Sequence, residues 1–249
     1  MNPCGYRTII HTVVPGDTLY KLAQRYNTTV EAIIAANPDV DVSMLRVAQR
    51  INIWPGCRNP KIKVSSSTRC IPESEVKLMN LFRMLWEQHI TWTRLAIISL
   101  VFDLPDVNLV IERLLQNSKD FENALRTFYG IEASEFADLL TDHLVIAADL
   151  VKAAKAGDTM TADDIERRWY NNAREIAAFL ASINPFWSRR EWENMLFNHL
   201  ALVKTEAVDM LNADYLAGIN IYTEMERQAL EMADTMSEGI IKQFPDKFQ

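Results

Sequence analysis

Glycine is scarce in this chain, with seven in 249 residues, and cysteine scarcer, with three. So few glycines leave little material for the tight turns of a sheet-rich architecture. Three cysteines, Cys4, Cys57 and Cys70, permit one disulfide with an odd thiol left over, or three free thiols; their spacing gives no zinc-ligand pattern. No run of about 18 apolar residues free of charge exists, so a membrane span is not expected. The opening residues MNPCGYRTII lack the charged stretch and apolar core of a secretory signal. A Gly-rich phosphate loop, HExxH and GxSxG are all missing, which removes the readiest phosphotransfer, zinc-protease and serine-hydrolase readings. Cys70 lies before a long helical segment but lacks the local signature of a peptidase nucleophile.

What is present is a chain of ordinary globular composition, 49% hydrophobic and 24% charged, with an uneven net charge of −7. Residues 1–73 hold nine Lys or Arg against five Asp or Glu, a balance of +4, leaving 17 against 28, or −11, for the rest. An acidic main body repels polyphosphate, so nucleic acid is not an expected partner. Arg58, Lys61, Lys63 and Arg69 read as a solvated basic linker.

Two patterns divide the chain. IIHTVV (9–14) and QRINIW (49–54) are β-branched-rich strands. Between them Leu19, Leu22, Ala23 and Tyr26 mark one helical face, Thr28 with Glu31 suggests a capping box for a second helix, and Asn37-Pro38 stops it. The order is β-α-α-β over residues 1–55. Residues 56–73, with two prolines and three serines, read as a linker. Residues 74–249 then show six apolar-periodic segments near 74–102, 106–128, 132–157, 161–183, 188–211 and 214–243, an all-α helical bundle. Thr161 with Asp164, and Ser188 with Glu191, mark helix starts, and Asn117-Ser118-Lys119-Asp120 is a candidate break. LWEQHITWTRLAIIS aligns with RWYNNAREIAAFLAS, and ERLLQN with ENMLFN, at an offset near 82, which suggests a duplication of three long helices.

The loop Gly16-Asp17-Thr18-Leu19, the stop Asn37-Pro38 and the run Val47-Ala48-Gln49, in that order and spacing, resemble a LysM module. The resemblance implies a small α+β fold that grips N-acetylglucosamine polymers such as peptidoglycan or chitin. It implies a groove between the loops Gly16–Leu19 and Asn37–Val42, binding largely through main-chain groups, with Val40 as the contact for the N-acetyl methyl. The carbohydrate-binding set is then Gly16, Asp17, Thr18, Leu19, Asn37, Pro38 and Val40. Ala48 stands where such modules usually carry glycine, and would be strained if the position needs positive φ. One shallow site of this kind binds weakly, on the order of micromolar to millimolar, so homo-oligomerisation would add avidity. A wall-binding module without a visible export signal points to cytoplasmic synthesis followed by association with a spore or cell wall.

The helical segments carry His89, His143 and His199, each on an apolar face, with Glu206 two turns beyond His199. They could converge on a divalent metal with Glu206 as carboxylate ligand, or be core histidines each hydrogen-bonded to a polar neighbour. LWEQHITWTR and LLTDHLVIAADL are similar to helix motifs of duplicated helical-bundle metalloproteins of bacilli. That resemblance implies paired carboxylate–histidine ligands. Asp142-His143 fits it, whereas Gln88-His89 and Asn198-His199 place an amide where an acid would stand. Trp86, Trp92, Trp169, Trp187 and Trp192 read as core packing, with FWSRREW (186–192) a candidate partner patch. The reading is therefore a non-catalytic glycan-binding head on a helical structural or interaction domain. The competing reading is a metal-binding bundle carried to the wall by that head.

Overall fold

A computed structural model describes residues 7–14, 16–38, 45–57 and 71–248. The chain divides into two compact units, Met1–Cys70 and Ile71–Gln249. The candidate methyl contact Val40, the cysteines Cys4 and Cys70, and the basic linker residues lie outside the described residues.

In the first unit, β1 (Ile9–Thr12) and β2 (Arg50–Ile53) pair antiparallel, with Ile9 opposite Ile53 and Thr12 opposite Arg50. Between them run α1 (Leu19–Arg25) and α2 (Val30–Ala35). Alternation along β2 turns Ile51 and Ile53 inward, where they meet Val13, Leu22, Ala23 and Ile33. Thr18 caps α1 by accepting from the Lys21 N–H at 3.2 Å, and Thr29 caps α2 by accepting from Ala32 at 3.1 Å. The cap of α2 is thus Thr29 rather than Thr28. Thr28 is used differently, its hydroxyl donating to the Cys57 carbonyl at 2.9 Å. With Gly56 N–H donating to Tyr26 at 3.1 Å, this draws the chain beyond β2 onto the module. Cys57 is buried and disulfide-bonded, its partner lying outside the described residues. Ala48 does adopt a left-handed backbone, φ 70°, and its N–H donates to Val13 at 2.8 Å. An L-alanine there carries about 1 kcal/mol of strain that glycine would not.

The second unit consists of six long helices: α3 (Glu73–Val101), α4 (Val107–Tyr129), α5 (Glu132–Lys155), α6 (Thr159–Ile183), α7 (Arg189–Leu211) and α8 (Tyr215–Gln243). A short 3-10 turn, Pro245–Phe248, closes the described chain. Each helix packs on the next, α8 returns onto α3 to close the ring, and α3 also meets α5 and α7. Short connections force antiparallel neighbours, and apolar stripes at helical spacing turn into one continuous core. Helix starts follow capping chemistry. Ser188 accepts from Glu191 at 3.4 Å as expected, whereas α6 is capped by Asp158, accepting from Thr161 at 3.1 Å, so Thr161 lies inside the helix. Helix α4 runs unbroken through Asn117–Asp120, because Asn117 faces inward and is fully hydrogen-bonded there. Trp187 and Trp192 are buried, so both tryptophans of the segment 186–192 belong to the core, while Phe186 and residues 188–191 between them stay exposed. The Trp187 ring N–H donates to the Thr235 carbonyl of α8 at 3.2 Å, and a Cβ added to Gly239 would sit 1.9 Å from that ring nitrogen.

The candidate glycan site and the histidine layer

Gly16 opens the first expected binding loop with φ 87° and open space around its Cα, so its glycine is required by backbone conformation. Its carbonyl accepts from Lys21 Nζ at 2.8 Å. Asp17 sits behind the loop, its side chain almost wholly covered, and holds it in place. Oδ2 accepts from the Val14 N–H at 3.0 Å and from His11 Nε2 at 2.8 Å, while Arg25 stands 3.5 Å from Oδ1. The Val14 N–H, then the His11 hydrogen bond, hold the Asp17 carboxyl below its usual range. The other His11 ring nitrogen, Nδ1, is hydrogen-bonded with the Tyr26 hydroxyl at 2.9 Å. His11, Tyr26 and Arg25 are therefore the supporting residues that sequence reasoning missed. His11 sits on β1 and Tyr26 at the end of α1, so no local spacing joins them.

Asn37 is likewise a brace. Its Nδ2 donates to Ile33 at 2.7 Å and to Asn52 at 2.8 Å, and its Oδ1 accepts from the Asn52 N–H at 2.8 Å. Asn52 Nδ2 returns to Ala36 at 3.2 Å. Three of these hydrogen bonds clamp the end of α2 to β2, the fourth ties Asn37 back to α2, and together they fix where the second loop departs. Pro38 is exposed at that departure point, and Leu19 leans on the module's core. Of the expected binding set, then, Asp17, Thr18 and Asn37 spend their side chains on the scaffold.

In the helical unit the three histidines do meet. The ring centroids of His89 and His199 are 5.6 Å apart, and those of His143 and His199 6.5 Å. Each is served in the same way by an amide on the following helix. Asn117, Asn172 and Gln228 approach the Nδ1 atoms of His89, His143 and His199 at 3.0, 2.9 and 3.1 Å. The amide NH2 groups of the same residues donate to Leu85, Leu139 and Met195, each four positions before its histidine. That second bond fixes the amide orientation, so its oxygen faces the imidazole and Nδ1 carries the proton. Burial drives all three pKa values down, to about 4 for His89, about 3 for His143, and well below the usual value for His199. All three are therefore neutral core histidines at pH 7.

The motif recurs at intervals of 54 and 56 residues, one per two-helix hairpin. The sequence offset near 82 instead matches odd helices to even ones, α3 to α6 and α4 to α7, because both kinds present similar apolar stripes.

The four-residue metal set is not brought together. Among the described residues no group of three or more His, Cys, Asp or Glu is placed to hold a metal ion. Glu206 is fully buried and engaged by Arg94, which also donates to the Gly218 carbonyl at 3.0 Å and lies 4.9 Å from the Tyr222 ring centroid. Burial raises the Glu206 carboxyl to about 7 against the pull of Arg94. No helix among the described residues is long and apolar enough to cross a membrane.

No curated protein matches the chain, and no solved structure does. Residues 11–54 match the family model of the LysM domain, and their β-α-α-β order agrees with it. The chain therefore carries a LysM module, a fold that supports binding of peptidoglycan- or chitin-type carbohydrate.

Proposed function

We propose that this protein is a non-catalytic peptidoglycan-binding protein that works at a spore or cell wall, its LysM module gripping the glycan and its helical unit serving as a structural or interaction body. The observation that carries the reading is the division of labour in the module. Asp17, Thr18 and Asn37 are consumed by the scaffold, and the Gly16 and Thr18 carbonyls and the Asp17 N–H are bonded within the module, so the main-chain groups of Gly16 to Leu19 that remain for a ligand are held in a preorganised loop. An N-acetylglucosamine unit offers hydroxyls and an acetamide, which such groups match at little conformational cost. Val40 supplies the methyl contact in this proposal. A single shallow site gives affinity on the order of micromolar to millimolar, and self-association of the chain would multiply it.

Co-sedimentation of the full chain with purified peptidoglycan, and separately with chitin, tests this. The chain is expected in the pellet and released by soluble chitooligosaccharide. Undiminished pelleting after deletion of residues 1–55 would place the glycan site elsewhere.

A further inference from the structure

Directly above the histidine layer the bundle is hollow. Thr93, Ala147 and Val203 stand one helical turn beyond His89, His143 and His199, and all three line a cavity of about 380 Å³. Its floor is shared with the histidines, since Trp169 lines it and also lies 5.3 Å, ring to ring, from His143. The hollow exists because alanine occupies wall positions on four helices: Ala96, Ala148, Ala162 and Ala207 on α3, α5, α6 and α7. Tightly packed interiors do not leave such space without consequence. An apolar cavity of about 150 Å³ stays dry and accepts benzene, so one more than twice that size has room for about a dozen non-hydrogen atoms.

The mouth sets the polarity of the occupant. Glu166 is paired there with Lys204 at 2.6 Å, while Asp163 has no ion-pair or hydrogen-bond partner among the described residues, leaving one net negative charge. Leu100, Ala154 and Leu211, from the last turns of α3, α5 and α7, also line it, against the single N-terminal turn of α6 at Thr159. The Leu100 carbonyl is taken by Lys155 Nζ at 2.8 Å, so the ends of α5 and α7 against one N-terminus supply the partial negative charge. A carboxylate head is repelled, whereas a head that donates hydrogen bonds or carries positive charge is drawn in.

We propose that this cavity is a binding site for an aliphatic amine or alcohol of about ten carbons, its chain running down to the Trp169 and histidine floor and its head held at the mouth by Asp163. The site is independent of the glycan groove and is built wholly from the helical unit.

The test is displacement of the uncharged dye N-phenyl-1-naphthylamine from the full chain by decylamine, decan-1-ol and decanoate. Saturable dye fluorescence is expected, with decylamine and decanol displacing it at least tenfold more tightly than decanoate. Ala207→Leu and, separately, Ala148→Leu fill the hollow and are expected to weaken dye and amine binding at least tenfold while circular dichroism and unfolding temperature hold or rise. Either variant suffices if the other fails to fold. Asp163→Asn, on the exposed rim, is expected to narrow the amine-over-acid preference. The proposal is overturned if the wild-type chain shows no saturable binding, if decanoate competes as well as decylamine, or if a folded filled variant binds like wild type.

Discussion

The two units of this chain are held together by different means. The LysM module has few wholly buried apolar side chains, so polar and covalent ties carry much of its definition: the Asn37–Asn52 clamp, the Asp17–His11–Tyr26 chain, the Thr28–Cys57 tether and the Cys57 disulfide. The helical unit buries a far larger core and uses polar groups sparingly, as a repeated His–amide brace in each hairpin. In the module the polar side chains hold the Gly16–Leu19 loop and the end of α2 in place. In the bundle they register one helix against the next, and the vacancy lies in the apolar packing beyond them.

This contrast can be broken most forcefully in the bundle. Gly239→Ala drives a methyl into Trp187 and should cost about 3 kcal/mol or more, read as a lowered denaturation midpoint for the helical transition. Glycan binding should survive it.

Acid should separate the units next. The folded histidine pKa values lie below the unfolded value near 6.5, so the unfolded chain takes up more protons as pH falls from 6.5 towards 4, and helical stability is lost over that window. Glu206 acts in the opposite sense. Raised to about 7, it favours the fold below its unfolded pKa of 4.5, and that contribution is lost as pH rises through 7. Three groups against one leave a net loss of helical stability between pH 6.5 and 5, measurable by denaturant melts at the two pH values. An unchanged bundle across that range would mean that the imidazoles are not held neutral.

Within the module, Asn37→Ala removes the clamp and strands the Asn52 N–H. It should destabilise the module by about 2 kcal/mol and weaken glycan binding by displacing the second loop. Smallest and opposite in sign, Ala48→Gly relieves a left-handed alanine. It should stabilise the module by about 1 kcal/mol or less, since glycine also loosens the unfolded chain.

The sequence disclosed the helices well, because a 3.6-residue apolar period sustained over more than 20 residues has no competing explanation. Starts and stops were legible where capping side chains marked them, as at Ser188. They were misread where two candidates stood side by side, as at Thr28 and Thr29. Asn117 looked like a breaker because its partner, His89, lies on the preceding helix, and propensity does not see a tertiary hydrogen bond. The same blindness hid the recurrence of hairpins. The brace repeats only as a pair of polar residues 28 or 29 apart, while the apolar stripes repeat everywhere. In the module the conformation of the Gly16–Leu19 loop was legible because backbone needs, a positive-φ glycine and a helix cap, dictate residue type locally. Its supports, His11 and Tyr26, were not, since they meet only after β1 and α1 have packed.

The central claim is that the main chain of the first module grips the sugar. Amide resonances followed during titration of the full chain with chitotetraose and with muropeptides test it most directly. The account predicts saturable shifts at Gly16, Asp17, Thr18, Leu19 and Asn37, with the helical amides unmoved. Shifts absent from that loop at saturating glycan would contradict it.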